Sequence, residues 1–328
     1  MLDVSSSHSA IRKSAGVFSR GDTITCVRGT QRLEYVSHLL AKSVEFSGID
    51  TCVDSLLLNN DGIILGLAVA VLREDRIYLV TEAEQSWHDL AADAQEDFDI
   101  TVESLPHKAV QVEGPLAWAV VQTLMGDNNI QDVLLNECVD ATMDDTAVCL
   151  ARVGTTAEYG YLVFSDTIDV LPGLSQRAEA EGGGEIDPSV VDRLRLEASF
   201  PVLPSQGADC TVFEAGLGWL VTLTDEAHYV GRDALSEDAP TRRTVVARFP
   251  GCDCPPVGTP VMADGDQVGH VLVSTGRAGQ DDGLALLLME DPFGVPGLEF
   301  EIGGITAETI SRPTLTPESW IQQIGVRQ

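Results

Sequence analysis

The sequence predicts an α+β fold that ends in a small β-barrel. Helix-like and strand-like patterns alternate irregularly over the first two thirds of the chain, and no Gly-x-Gly-x-x-Gly follows a first strand, which argues against a doubly wound fold. Beyond residue 239, short apolar runs are separated by Gly, Asp and Pro. Five or six short strands at this spacing are typical of a closed barrel. We therefore divide the chain into residues 1–238, forming two intertwined α+β modules, residues 239–312, forming the barrel, and a loose tail over residues 313–328.

Local patterns predict the elements of the first part. Residues 55–58 and 63–72 are apolar runs on either side of Asn-Asp-Gly, which is a strong hairpin signal. A helix is expected from Gln31 to about Val44, because its apolar residues keep helical spacing and Thr30 precedes it as an N-cap. The apolar run 219–223 predicts a further strand.

The charge of the chain is strongly acidic. There are 20 Lys and Arg against 51 Asp and Glu, giving a net charge of −31, and only Lys13, Lys42 and Lys108 are lysines. The acids are spread between apolar runs instead of forming one block, which argues against a disordered acidic segment. In molar salt the Debye length is roughly 3 Å, so repulsion between charges that are farther apart is screened. We therefore expect a halophilic protein of a hypersaline cytoplasm.

The same composition disfavours other classes of protein. No basic stripe is present, so direct binding of nucleic acid is not expected. No apolar run reaches about 18 residues, and the first residues lack the pattern of a secretory signal, so we expect no membrane association. Seven scattered cysteines do not indicate a disulfide framework. Cys252 and Cys254 are the one close pair; they fit either a Pro-rich loop or two ligands of a metal site that would need two more. We predict no metal.

Residues 151–162 predict two strands joined by a tight turn that carries the carboxylate of Glu158. Five segments in chain order, with Val268–Val271 in the barrel region, resemble motifs of the glycine-cleavage T-protein (aminomethyltransferase) superfamily. Its loop motif is R-T-G-Y-T-G-E-x-G-F. The five segments are Val27–Gly29, Val112–Ala117, Arg152–Tyr161, Leu194–Ala198 and Tyr229–Leu235.

The resemblance implies a ring of modules with tetrahydrofolate in a central hole and one-carbon transfer as its chemistry. A flat pteridine with hydrogen-bonding groups along one edge requires an apolar slot with one carboxylate, and the transfer requires an acid near the folate nitrogens. Asp61 is the candidate catalytic acid. The candidate folate-binding residues are Glu158, Tyr161, Arg195, Tyr229 and Arg232. The simpler interpretations are that Glu158 is solvated, that Arg195 is structural, and that Arg232 holds the linker to the barrel.

The chain departs from the family pattern at its functional positions. By the resemblance, Leu65 stands in place of the catalytic aspartate, Leu162 in place of the pteridine-binding glutamate, and Val191 in place of an arginine. The implied function is therefore a tetrahydrofolate-binding protein whose catalytic aspartate is replaced, with folate and a lipoyl carrier protein as expected partners. The alternative is a non-catalytic, folate-dependent iron–sulfur assembly factor that serves iron–sulfur proteins. The sister branch with that role has Lys-Gly-Cys before the tyrosine, whereas this chain has Ala227 and His228. A third reading is an interaction protein without a ligand.

The acidic composition makes a prediction about stability. We expect the melting temperature of the purified protein to be higher in several molar KCl than in dilute buffer, because salt screens the repulsion among the 51 acids. Thermal unfolding followed over a series of KCl concentrations measures this. Full stability in dilute buffer would contradict halophilic adaptation.

Overall fold

The structure is a computed structural model that describes residues 1–21, 23–203, 205–207, 209–236 and 238–326. Its α+β architecture confirms the predicted class: a six-stranded sheet, a five-stranded sheet and a closed six-stranded barrel. Within the described ranges, no helix is long and apolar enough to cross a membrane.

Six α-helices and seventeen β-strands are described. The helices are α1 Val4–Lys13, α2 Arg32–Leu39, α3 Gln85–Ala94, α4 Ala117–Gln122, α5 Leu171–Ala180 and α6 Val191–Ala198. The strands before α6 are β1 Gly16–Arg20, β2 Thr23–Gly29, β3 Thr51–Leu58, β4 Ile64–Leu72, β5 Arg76–Ala83, β6 Ile100–Ser104, β7 Ala109–Glu113, β8 Cys138–Met143, β9 Thr146–Ala151, β10 Gly160–Phe164 and β11 Gly184–Glu185. The barrel strands are β12 Arg242–Phe249, β13 Pro260–Ala263, β14 Asp266–Ser274, β15 Gly283–Glu290, β16 Glu299–Ile302 and β17 Ile305–Ile310.

The two open sheets pack face to face with helices on their outer sides. The first sheet has the order β11-β1-β7-β10-β9-β8, and the second has the order β3-β4-β5-β2-β6. Ile24, Val69 and Val80 of the second sheet meet Ala109 and Leu162 of the first in one buried apolar layer. Helices α4 and α5 cover the other face of the first sheet, and α2 and α3 cover the other face of the second. Burial of this apolar area is the main favourable term for the fold.

The predicted hairpin is confirmed, whereas the predicted α2 is too long. Strands β3 and β4 pair around the Asn-Asp-Gly turn. Helix α2 ends at Leu39 because Leu40 forms a bridge with Leu57 and continues as extended chain. Thr30 does not cap the helix, since its hydroxyl donates to Asp99 at 2.8 Å. Tertiary pairing therefore overrides the helical pattern at both ends.

The strand predicted over residues 219–223 is wrong. Gly218–Leu220 form a turn of 3₁₀ helix, and the chain continues without a partner strand among the described residues. Leu220 is buried while Trp219 is 50% exposed, so the apolar run does not lie in a sheet. Gly216, at φ +74°, makes the left-handed turn that starts this segment.

The last described residues are hydrogen-bonded to the rest of the molecule, so the prediction of a loose tail is wrong for them. The N–H of Thr314 donates to the carbonyl of Glu197 at 2.9 Å. Further along, the N–H of Ser319 donates to the Glu158 carboxylate at 3.0 Å. The amide of Gln131 donates to the carbonyl of Ile324 at 2.7 Å. The segment therefore crosses from the barrel back to the first sheet.

A buried ion cluster around Glu197 joins α1, α6 and the barrel. The Glu197 carboxylate contacts His8 at 3.0 Å, Arg12 at 2.9 Å and Arg193 at 2.7 Å. Arg193 also donates to the barrel carbonyls of Gly276 and Asp282 at 3.1 and 2.8 Å. Burial alone would raise the pKa of Glu197, but the charges and hydrogen bonds of these partners lower it to about 2. Glu197 therefore stabilises the fold only in its ionised form.

The lowered pKa of Glu197 predicts loss of stability in acid. Its contribution is complete above the ordinary glutamate pKa of about 4.5 and is lost as the pH falls towards about 2. A shift of this size corresponds to about 3 kcal/mol. We expect Glu197→Gln to lower the free energy of unfolding near pH 7 by about that amount and to flatten its decline in acid, measured by chemical denaturation at fixed salt. Glu34→Gln, at an exposed position, is the control. An equal acid response in Glu197→Gln and wild type would contradict the assignment.

Candidate functional site

Five polar residues from both sheets and α6 meet at one end of the apolar layer between the sheets. We call these residues, Arg20, Asp54, Glu82, Gln111 and Arg195, the junction cluster. Arg195 binds both oxygens of Glu82 at 2.8 and 2.9 Å. Arg20 donates to Glu82, Asp54 and Gln111, each at 3.3 Å. One carboxylate of the second sheet is thus held by two arginines that come from other elements.

Strand alternation directs these side chains towards one another. Asp54 lies opposite Val69, and Glu82 lies opposite Leu67, on the face of the second sheet that meets the first. Arg20 is the last residue of β1. Gln111 lies two residues from Ala109, on the same inner face of β7. The cluster therefore forms where the buried layer ends.

The electrostatics of the two carboxylates differ. Burial alone would raise the pKa of Glu82, but the charges and hydrogen bonds of Arg195 and Arg20 outweigh it and lower the pKa. Burial raises the pKa of Asp54, and the single arginine beside it, Arg20, does not compensate. Their side chains are 22% and 21% exposed, so both are accessible from outside. Neighbouring carboxyl groups with opposite pKa shifts make this cluster a candidate functional site.

An aromatic ring lies over the arginines of the cluster. The Phe200 ring centroid is 5.7 Å from the guanidinium carbon of Arg20 and 5.7 Å from that of Arg195. The Nε of Arg195 is buried and has no hydrogen-bond partner within the described part of the chain. The site thus combines an ionised carboxylate with an aromatic ring.

The loop over residues 153–158 is held by a different carboxylate, Glu113. This fully buried side chain accepts from the N–H groups of Thr155 and Thr156, each at 2.8 Å, and from both of their hydroxyls. Burial raises the pKa of Glu113 despite these four donors. Gly154 and Gly160 approach each other so closely that a Cβ on Gly160 would lie 2.4 Å from the Gly154 Cα. The glycines of the motif therefore serve the turn.

Of the candidate residues from the sequence, the structure brings only Arg195 into the junction cluster. Asp61 is exposed at the hairpin tip, where its N–H donates to Asn59 at 3.0 Å. Glu158 is buried elsewhere, between Arg12 and the N–H groups of Glu318 and Ser319.

The three remaining candidates also lie outside the cluster. Tyr161 is fully buried in the core between the first sheet and its outer helices. The Tyr229 hydroxyl donates to the carbonyl of Thr222 at 2.8 Å. Arg232 donates to the carbonyl of Leu223 at 2.9 Å.

Of the three positions where the resemblance implies a replaced family residue, two lie near the junction cluster. Leu162 lies directly opposite Gln111 in the first sheet and is fully buried. Val191 lies one turn before Arg195 on α6, and residues spaced by four share a helix face. Leu65 is different: a register shift between β3 and β4 turns it to the outer face, where it packs with Trp87 of α3.

The sequence reading missed Arg20, Asp54, Glu82 and Gln111. Each is a polar residue inside or at the end of a strongly apolar strand, on the face that becomes buried. That signal was present in the sequence. The sequence did not show which strand would lie opposite each of these residues, because β1 and β5 belong to different sheets.

No metal site is evident in the parts of the chain that the structure describes, since no group of three or more His, Cys, Asp or Glu has suitable geometry. Cys252 and Cys254 lie in the loop after β12, beside Gly283 of β15. Asp253 between them accepts the N–H of Arg277 at 3.1 Å.

Comparison with known proteins identifies the family. The family model described as "GCVT N-terminal domain" matches residues 2–225. The chain belongs to this family. The aminomethyltransferase of Clostridium botulinum (strain Kyoto / Type A2) is 26% identical over 311 residues, covering 90% of this chain and 83% of the relative. The aminomethyltransferase of Streptomyces avermitilis is 28% identical over 282 residues, covering 80% and 75%.

The fold comparison agrees with the family assignment. The crystal structure of glycine cleavage system aminomethyltransferase T from Bartonella henselae superposes with a TM-score of 0.81 at 22% identity, covering 96% of this chain and 90% of that one. The suspected superfamily and the mixed fold with a C-terminal barrel are therefore confirmed.

Proposed function

We propose that the chain binds a reduced folate, tetrahydrofolate or a derivative, at the junction cluster. The aminomethyltransferase-type family to which it belongs is tetrahydrofolate-dependent. The single observation that carries the proposal is the geometry of Glu82: a carboxylate with a lowered pKa, held by two buried arginines and still 22% exposed.

The residues of the cluster fit a pteridine. Its edge presents adjacent N–H donors, and an ionised carboxylate is the acceptor that suits them. Leu162 cannot accept a hydrogen bond. It lies next to Gln111, and Arg20 connects Gln111 to Glu82. Glu82 would therefore supply the acceptor from the opposite sheet. Phe200 supplies an aromatic surface beside Arg20 and Arg195.

We further propose that aminomethyl transfer itself is lost. By the resemblance, Leu65 takes the place of the catalytic aspartate, and this residue is 7% exposed and lies in the same outer apolar cluster as Trp87. A side chain in that place neither reaches the cluster nor handles a proton. The iron–sulfur alternative gains no support, because residues 228–235 contain no cysteine.

The folate proposal predicts the effect of removing the Glu82 charge. We expect purified protein in high salt to bind 5-formyltetrahydrofolate in calorimetric titration, and Glu82→Gln to weaken binding by about 10- to 100-fold, because a hydrogen bond to a charged group contributes about 1.5–3 kcal/mol.

The matched control for this titration is Glu103→Gln. It removes the same charge from an arginine pair of the same sheet, Glu103 and Arg28, at a position where the glutamate side chain is 70% exposed. Phe200→Leu keeps both ion pairs and should also weaken binding. Thermal unfolding of each variant shows that it is folded. Absence of folate binding by the wild type would contradict the proposal.

The loss of catalysis is tested separately. With tetrahydrofolate and an aminomethylated lipoyl carrier protein, we expect no methylene-tetrahydrofolate above the rate without protein. Turnover would contradict the second part of the proposal. In that case Asp54→Asn and Asp61→Asn would identify the acid, and the raised pKa of Asp54 makes Asp54→Asn the more damaging change.

A further inference from the structure

A cavity lies between the barrel and the segment that follows α6, and none of the described residues that line it is acidic. Its volume is about 440 Å³, which falls within the usual range of small-molecule sites, roughly 300–1,000 Å³. The chain as a whole carries 51 acids against 20 Lys and Arg. The cavity, which we call the Arg312 pocket, is therefore opposite in charge to the chain. Its polar lining residues are Ser199, Thr244, Ser311 and Arg312.

Arg312 supplies the positive charge of the Arg312 pocket. The side chain is partly buried, and its Nη2 donates to the Thr244 hydroxyl at 3.3 Å. Its Nε and Nη1 have no hydrogen-bond partner among the described residues, yet neither atom is closed off from solvent. Within the same part of the chain, no carboxylate forms an ion pair with Arg312. Donors of this guanidinium are therefore available to a ligand in the cavity.

Other arginines with little exposure are neutralised by carboxylates. Arg242, at the start of β12, binds Glu214 at 2.8 Å. Arg195 binds Glu82, also at 2.8 Å. Burial without a counter-charge lowers the pKa of Arg312, but a guanidinium keeps its proton in proteins. The fold thus retains a cation that its described residues do not neutralise, and an unpaired charge of this kind destabilises the protein unless an anion joins it.

There is space for an anion beside the guanidinium. Gly216 lies at φ +74°, and a Cβ on it would be 3.8 Å from the Arg312 Nη2 and 3.9 Å from the Thr244 hydroxyl oxygen. A larger side chain at this position would fill the space next to both groups. The Thr244 hydroxyl donates to the carbonyl of Ala215 at 3.2 Å, so its oxygen accepts from Arg312 and fixes the orientation of the guanidinium.

Trp219 gives the Arg312 pocket an aromatic wall. This residue is 50% exposed, and Leu217, two residues earlier, lines the same cavity. Val245 and Val246 of β12 line it on the barrel side. An exposed indole packs well against flat ligands, and a planar guanidinium suits a carboxylate. The lining therefore fits a carboxylate that is attached to an aromatic ring.

We propose that the Arg312 pocket binds a carboxylate carried on an aromatic ring. The Arg312 guanidinium binds the carboxylate, Thr244 orients the guanidinium, and Trp219 packs against the ring. Two sources offer this chemistry: a separate small aromatic acid, and the benzoyl-glutamate part of a reduced folate. The second source rests on the proposed function. It is supported by the chain, because Ser199 lines the pocket and the next residue, Phe200, lies over the arginines of the junction cluster.

The test uses N-(4-aminobenzoyl)-glutamate, which has the ring and the carboxylates but no pteridine. A ligand-detected NMR titration of the full chain in high salt should show saturable binding. Arg312→Gln should weaken it at least about tenfold, because hydrogen bonds to a charged group are lost. Arg312→Lys, which keeps the charge without the planar group, should lie between the two. 4-Aminobenzamide, which has no carboxylate, should bind the wild type at least about tenfold more weakly.

Arg243→Gln is the matched control for the loss of charge. Arg243 is exposed and precedes Thr244 in β12, and strand alternation directs it to the other face of the strand. Its removal should change binding by less than about twofold, because molar salt screens charges that are not in contact. Trp219→Leu should weaken binding about two- to tenfold through loss of the ring contact. Thermal unfolding of each variant shows whether it is folded.

Competition distinguishes the two sources of the carboxylate. Displacement of N-(4-aminobenzoyl)-glutamate by 5-formyltetrahydrofolate identifies the folate as the ligand, whereas simultaneous binding of both identifies a separate acid. Failure of the folate to bind contradicts the proposed function alone, because the titration with the fragment does not depend on a pteridine.

Two results would overturn the Arg312 pocket as a carboxylate site. These are absence of fragment binding by the wild type, and equal binding by the wild type and a folded Arg312→Gln protein. Unchanged binding in a folded Trp219→Leu protein would overturn the part played by the indole.

Discussion

Buried ion pairs made by α6 determine how the parts of this molecule meet. Arg195 points to Glu82 in the second sheet, while Arg193 and Glu197 point to α1 and the barrel. All three side chains are almost completely buried on a helix of eight residues. Because an unpaired buried charge costs several kcal/mol, any other arrangement of the two sheets and the barrel around α6 is disfavoured. The pairs therefore favour this arrangement over others.

The same pairs define the properties of the candidate folate site. Glu82 is kept ionised because two guanidinium groups face it, and Asp54 has a raised pKa because it faces only one. Leu162 and Val191, which by the resemblance stand where the family has a pteridine-binding glutamate and an arginine, lie near polar residues of the cluster: Leu162 is opposite Gln111, and Val191 is one helical turn before Arg195. The charged strand residues of the candidate site, Arg20, Asp54 and Glu82, lie on strands other than those that carry the segments resembling the family motifs.

The apolar layer between the sheets has polar groups at two places along its length. The junction cluster lies at one of them, and Cys52, Cys138 and Cys149 lie at the other. At the first place Arg20 donates to the Glu82 carboxylate at 3.3 Å, and at the second Arg73 donates to the Cys138 sulfur at 3.5 Å. The layer itself holds the two apart, since Val69, Val80 and Leu162 fill it.

Local signals in the sequence determined much of the fold. The hairpin at Asn-Asp-Gly, the strands of the barrel and the motif at Arg152–Tyr161 all depend on neighbours in the chain, and each formed where it was predicted. The replacement of polar family residues by Leu65, Leu162 and Val191 stays a prediction from the resemblance. The tertiary structure alone decided that Glu158 binds the C-terminal segment, that Leu40 leaves the helix for a bridge, and that Arg20, Glu82 and Arg195 form one cluster. The physical reason is that these contacts join residues more than 15 positions apart in the chain. Charged pairs become selective only when they are buried, and they are buried only after the sheets have packed.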